Sequence, residues 1–111
     1  MPTSNKKINQ YNAYDNEEGY WEEFYPNGNL SFRGCFIDGK KDGYWEDYNY
    51  NGGFFYKGNY IKGERDGWWE WYHDNGQIAD KCNYKNGNPN GLWEFYNEKG
   101  ILEEMFFYVN I

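Results

Sequence analysis

Aromatic side chains make up 24% of the 111 residues while Leu, Ile, Val and Met are scarce and the mean hydropathy is −1.18, so a sealed aliphatic core is excluded. Cohesion falls instead to large rings with polar tips, which suit a half-exposed sheet, and the length leaves room for one domain. A formal charge of −7 disfavours nucleic acid and anionic membrane as partners and favours a basic protein, although acids spread along the whole chain also serve plain solubility.

Residues 1–18 form a leader. Its polar opening carries Lys6 and Lys7 with no apolar run behind them, and no segment of the chain has the length and apolarity of a membrane-spanning helix, so a cytoplasmic location is expected. Tyr11 and Tyr14 hint that the leader is a capping strand, yet neither falls on the columns of the sequence that follows.

From Gly19 one twenty-four-residue pattern is written four times without insertion or deletion, dividing the chain into 19–42, 43–66, 67–90 and 91–111. Gly19, Gly43, Gly67 and Gly91 open the copies, and Trp21, Trp45, Trp69 and Trp93 follow two residues later, each succeeded by Glu22, Glu46, Glu70 or Glu94. The sixth position is Phe24, Tyr48, Tyr72 or Tyr96; the twelfth is Leu30, Phe54, Ile78 or Leu102; the eighteenth is Phe36, Tyr60, Tyr84 or Tyr108. A fixed period of this size is the mark of stacked repeats, each burying surface against its neighbours.

Within a copy, two aromatic-rich segments of about five to seven residues read as strands. The connector between them always has Gly third, as in Pro26-Asn27-Gly28 and Asp74-Asn75-Gly76, and a second connector carries Asp38-Gly39, Lys62-Gly63 or Asn86-Gly87. Gly recurs too often for long helices.

Two registers compete in the first hairpin. Pro26 suits a type I turn and Lys99 resists a positive φ, which favours a three-residue loop with Gly in a bulge; that loop sets Tyr72 opposite Ile78 but also Glu70 opposite Asp80 and Glu94 opposite Glu104. A shift of one residue pairs Glu22 with Arg33, Glu46 with Lys57 and Glu70 with Lys81. The turn chemistry favours the first, and the face that carries the Trp column stays open, because a one-residue slip exchanges faces.

The phrase aromatic-x-Gly-x-aromatic followed by Asp-Gly or Lys-Gly, as in Phe32-Arg33-Gly34-Cys35-Phe36 and Tyr56-Lys57-Gly58-Asn59-Tyr60, resembles the MORN repeat. The fuller phrase Asp-Gly-x-Trp-Glu-x-Tyr followed by Asn-Gly, in residues 42–52 and 66–76, is similar to the bacterial MORN-variant repeat. The resemblance covers residues 19–111 and implies an all-β fold: an elongated single-layer antiparallel sheet of tandem β-hairpins, without a catalytic centre. Bacterial proteins of the variant are commonly labelled antitoxins or immunity proteins, and classical MORN proteins are linked to scaffolding and sometimes to lipids. In departure from the pattern, Cys82 and Phe106 replace the glycines equivalent to Gly34 and Gly58, and Asp80 and Glu104 replace the leading aromatic.

Catalytic chemistry finds few members. His73 is the one histidine, in a column shared with Tyr25, Asn49 and Asn97, and reads as a surface residue. Copies of the Glu column would lie about 9.6 Å apart, too far for one metal ion, and the Asp-rich turns lack the ligand alternation of a calcium loop. No metal or cofactor is expected. Cys35 and Cys82, about 19 Å apart at two strands per copy, are expected as free thiols and small buried hydrophobes.

The expected function is that of a noncatalytic protein-binding inhibitor: an antitoxin, immunity or phage-type anti-defence protein that occludes a basic, nuclease-like surface of a partner enzyme. Trp68, Trp69, Trp71 and Tyr72 are the expected contact anchors and Glu22, Glu46 and Glu70 the charge partners. One alternative is an aromatic-cage module for choline or glycan. Another is a self-assembling scaffold, with a homodimer through Phe106, Phe107, Tyr108 and Val109, a terminal run apolar on both faces.

Overall fold

The computed structural model describes residues 7–109 and places them in one open antiparallel meander in which sequence order is spatial order. Its strands are β1 (Gln10–Tyr11), β2 (Glu17–Phe24), β3 (Leu30–Ile37), β4 (Lys40–Tyr48), β5 (Phe54–Ile61), β6 (Glu64–Tyr72), β7 (Ile78–Lys85), β8 (Asn88–Tyr96) and β9 (Leu102–Tyr108). The all-β single-layer sheet of tandem hairpins implied by the sequence is what forms, with principal extents of 48 × 37 × 25 Å.

The two competing registers of the first hairpin both occur. Gly28 N–H donates to the Tyr25 carbonyl at 2.9 Å and Tyr25 N–H to the Asn29 carbonyl at 2.8 Å, closing the three-residue loop with Gly28 at φ +91°. Tyr72 therefore lies opposite Ile78, as that loop requires, but the register then shifts and Glu70 lies opposite Lys81. The same shift in the other copies yields Glu22 opposite Arg33 and Glu46 opposite Lys57. A bulge of one residue next to the turn satisfies the turn and still sets opposite charges across from one another, and Glu94 meets Met105 rather than Glu104.

The second connectors are two-residue turns with both central residues at positive φ: Asp38 (+49°) and Gly39 (+81°), Lys62 (+51°) and Gly63 (+86°), Asn86 (+53°) and Gly87 (+81°). Lys62 bears the strain of a non-Gly residue there, and its N–H is held by Asp42 Oδ1 at 3.2 Å. Turns also bond across copies: the N–H groups of Gly39, Gly63 and Gly87 donate to the carbonyls of Glu17, Lys41 and Arg65.

The Trp column shares a face with Phe36, Tyr60, Tyr84 and Tyr108. Nine rings run along it in unbroken contact, Tyr11–Trp21–Phe36–Trp45–Tyr60–Trp69–Tyr84–Trp93–Tyr108, with centroids 4.9 to 6.3 Å apart and mostly edge-on. Trp45 and Trp69 lie over Gly34 and Gly58, where a Cβ would fall under 3.0 Å from ring carbons. Glycine at these positions is a ring seat, and the buried indoles donate from Nε1 to the carbonyls of Cys35 (2.9 Å) and Asn59 (3.0 Å).

Where Cys82 occupies the seat the pattern breaks: Trp93 is only half-buried and its Nε1 turns to Asp80 Oδ2 at 2.9 Å. Both departures from the repeat, Cys82 and Asp80, thus belong to one local rearrangement. Cys82 is buried as expected, and burial pushes its thiol pKa up, but Cys35 is exposed because it faces away from the ring spine; both are free thiols.

Part of the leader does cap the sheet. The Gln10 carbonyl accepts from Trp21 Nε1 at 3.2 Å, the role that Cys35 and Asn59 play in later copies, and Tyr11 meets Trp21 edge-on at 5.3 Å as Phe36 meets Trp45. Asn9 completes the cap by pairing its side-chain amide with the backbone of Glu22, donating to the carbonyl and accepting from the N–H at 2.9 Å each. Tyr11 occupies the aromatic column after all, one residue off the twenty-four-residue count because its turn is one residue longer.

Candidate functional site

Strand alternation separates the expected contact anchors. Trp68 and Tyr72 flank Glu70 on one face, while Trp69 and Trp71 point to the other. Trp68 is 54% exposed and Trp69 0%, so Trp69 is a core residue and not a contact anchor: the seat at Gly58 and the rings of Tyr60 and Tyr84 enclose it. Trp71 and Tyr72 are half-buried, the first stacked on Trp93 at 5.6 Å.

The expected charge partners are placed in a self-neutralising row. Glu22, Arg33, Glu46, Lys57, Glu70, Lys81 and Glu94 are successive register partners across seven strands, and Met105 ends the row. Glu46, 6% exposed, is corrected from contact to structural residue: its carboxylate accepts from Arg33 Nε, from Tyr44 Oη at 2.9 Å and from Tyr48 Oη at 2.7 Å. Burial alone would raise its pKa, but the bonds from Tyr48, Arg33 and Tyr44 hold it below the ordinary carboxylate value. The same network, after burial itself, pushes Tyr48 up to about 12. Glu22 and Glu70 are half-buried opposite Arg33 and Lys81, and Tyr72 Oη donates to Glu70 at 3.3 Å.

Beside this row on the same face runs an exposed stripe that the sequence reading did not assemble. Tyr44 (50%), Trp68 (54%), Leu92 (40%) and Phe107 (71%) share it, with Ile37 and Ile61 at the turn end and Asp42 and Asp66 along its rim. Phe106, Phe107 and Tyr108 of β9 and Val109 just after it, expected as an oligomer edge, are all exposed.

His73 is half-buried and its Nε2 donates to the Tyr96 carbonyl at 2.8 Å, the bond that Tyr25 Oη makes to the Tyr48 carbonyl one copy pair earlier. It is a connector between repeats. Among the described residues no group of three or more His, Cys, Asp and Glu is placed to hold a metal ion, and no helix is long and apolar enough to cross a membrane.

An open sheet of identical hairpins, joined by rings on one face and alternating charges on the other, defines a repeat protein that binds partners or ligands and whose fold is typically noncatalytic. The MORN repeat variant matches residues 17–38, 65–86 and 89–110, more than half of the chain, and the chain belongs to that family. The second copy falls outside these matches although β4 and β5 repeat the geometry of the other hairpins, down to the Trp45 seat on Gly34. Comparison with curated proteins gave no match.

Proposed function

We propose that the chain is a noncatalytic protein-binding inhibitor, of the antitoxin, immunity or phage anti-defence kind, that covers a basic surface on a partner enzyme in the cytoplasm. The observation that carries the reading is the exposed stripe of Tyr44, Trp68, Leu92 and Phe107, rimmed by Asp42 and Asp66. Large apolar side chains exposed on successive hairpins of one face offer an interaction surface, and acids beside them steer a basic partner. The net charge of −7 supports the same partner chemistry.

Capture from the native cell with the wild type, Trp68→Ala and Tyr44→Ala chains, followed by assay of the captured enzyme, tests this. Trp68→Ala is expected to lose the partner while keeping the fold, and the wild type is expected to inhibit the enzyme. No stable partner, or equal capture by all three chains, would end the reading.

A second reading, self-association through β9, is favoured by a specific observation: each of its seven residues is exposed and, among the described residues, no strand lies against its outer edge. Light scattering of the wild type beside a chain ending at Glu104 decides it, since an unchanged mass dismisses that edge. For the choline or glycan alternative, the Trp column that a cage would draw on is enclosed at Trp45 and Trp69.

A further inference from the structure

On the face that carries the ring spine, a second row crosses eight strands: Glu23, Phe32, Asp47, Tyr56, Trp71, Asp80, Phe95 and Glu104 are successive register partners. Carboxylates and rings alternate except at Tyr56–Trp71, and the row contains no Lys or Arg. Glu23 and Glu104 are exposed, and the other six are half-buried and open to solvent. On the opposite face the same molecule places Arg33, Lys57 and Lys81 between its carboxylates, so the absence of cations here is a property of this row.

Cations from other positions do sit on rings of this face, including two rings of the row itself. The Arg65 guanidinium lies 4.8 Å from the Trp69 centroid, 5.6 Å from Trp71 and 6.0 Å from Tyr56, covering the one place where two rings adjoin. Lys41 lies 4.8 Å from the Trp45 centroid. Seating a cation over these rings is therefore geometry that the sheet already uses.

We infer that this row is a binding site for a basic, extended segment of a partner protein, whose Lys or Arg side chains meet the two acids of the Glu23–Asp47 pair or of the Asp80–Glu104 pair while its backbone and prolines lie on the ring between them, Phe32 or Phe95. The inference rests on the reading of the chain as a protein-binding module and adds a surface on the face opposite Trp68. Spacing sets the segment's conformation. The acids of each pair are two strands apart, about 9.6 Å. Three residues of polyproline II span about 9.3 Å and return a side chain to the same side, so cations three residues apart match each pair. Exposed aromatic rings are the usual seat of such a helix. Asp80 keeps its bond to Trp93 Nε1, and Asp47 keeps its bond from the Tyr56 hydroxyl.

The probe is the ten-residue peptide Lys-Pro-Pro-Lys-Pro-Pro-Lys-Pro-Pro-Lys, compared by calorimetry at low salt with a peptide of the same composition whose four Lys residues are contiguous. The spaced peptide is expected to bind about fivefold more tightly. Replacing three acids of the row together (Glu23→Gln, Asp47→Asn, Glu104→Gln) is expected to weaken it about tenfold, and replacing three acids elsewhere (Asp15→Asn, Asp74→Asn, Glu98→Gln) less than about threefold. Phe32→Leu combined with Phe95→Leu, which leaves the charge unchanged, is expected to weaken binding about fivefold. No binding of the spaced peptide to the wild type, equal binding of the two peptides, or equal losses from the two triple variants would overturn the inference. Trp68→Ala is expected to leave peptide binding unchanged, so failure at this row and failure of the exposed stripe are read separately.

Discussion

Replacing Gly58 by Ala tests the ring-seat geometry most sharply. The new Cβ would fall under 3.0 Å from Cδ2, Cε2 and Cγ of Trp69, a residue with 0% exposure, so the indole must move or the strand must bend. If the ring stays, overpacking costs about 1–3 kcal/mol. If it leaves, the Nε1 bond to the Asn59 carbonyl (3.0 Å) goes, worth about 1 kcal/mol, along with edge-on contacts to Tyr60 (4.9 Å) and Tyr84 (6.3 Å), worth about 0.5–1.5 kcal/mol each. Removing Gly from a strand returns about 0.5–1 kcal/mol, which leaves a net loss of about 1–3 kcal/mol. With urea slopes of about 1–3 kcal/mol per molar, the unfolding midpoint followed by Trp emission should fall by about 1 M. Gly53→Ala is the control: its Cβ meets only Asn51 Oδ1 at 3.7 Å, and a shift within about 0.5 kcal/mol is expected. Equal shifts for the two variants would refute the reasoning. Gly58→Cys combined with Tyr56→Asp copies the Asp80 and Cys82 pair into the preceding hairpin and should recover about 1 kcal/mol relative to additivity, by offering the displaced indole a carboxylate.

Lys62→Asn should stabilise the protein by about 0.5–1 kcal/mol in the same denaturation assay, because Asn tolerates the φ of +51° better than Lys does. Deleting residues 1–11 should cost about 2–3 kcal/mol and red-shift the Trp emission, since Trp21 loses the Gln10 acceptor and the Tyr11 ring; unchanged emission would show that the cap does not cover Trp21. The Glu46 network predicts a pH dependence at both ends. Glu46 is depressed when folded, so its contribution is present above the unfolded carboxylate value and is lost as pH falls through the folded one. Tyr48 and Tyr72, both raised to about 12, contribute fully below the ordinary phenol value of about 10 and lose that contribution as pH climbs towards 12. Phenolate absorbance should therefore show a late-titrating group that Glu46→Gln shifts down; one titration near the ordinary value would contradict the network. A thiol reagent should label Cys35 in the native protein and reach Cys82 only on unfolding.

The repeat period carried the architecture, because every column maps onto one position of one hairpin and adjacent copies must pack alike. The register was legible only in halves: turn chemistry fixed the loop, ion pairing fixed the strands, and the bulged residue that reconciles them, such as Ala79, leaves no mark in composition. Glycines 34 and 58 were visible as a motif but not as ring seats, since a seat is defined by the Trp of the following strand. Grouping Trp68, Trp69, Trp71 and Tyr72 as one patch overlooked alternation, which assigns neighbours in sequence to opposite faces. The row from Glu23 to Glu104 was hidden because its members change between acid and ring from copy to copy, and only the cross-strand partners line them up.

The central claim is that the sheet seals Trp69 inside its ring spine and holds Trp68 outward for a partner. Acrylamide quenching of the wild type, Trp68→Phe and Trp69→Phe chains measures this directly. Trp68→Phe should remove the most readily quenched emission, and Trp69→Phe should leave it in place; the reverse pattern, or equal effects, would contradict the account.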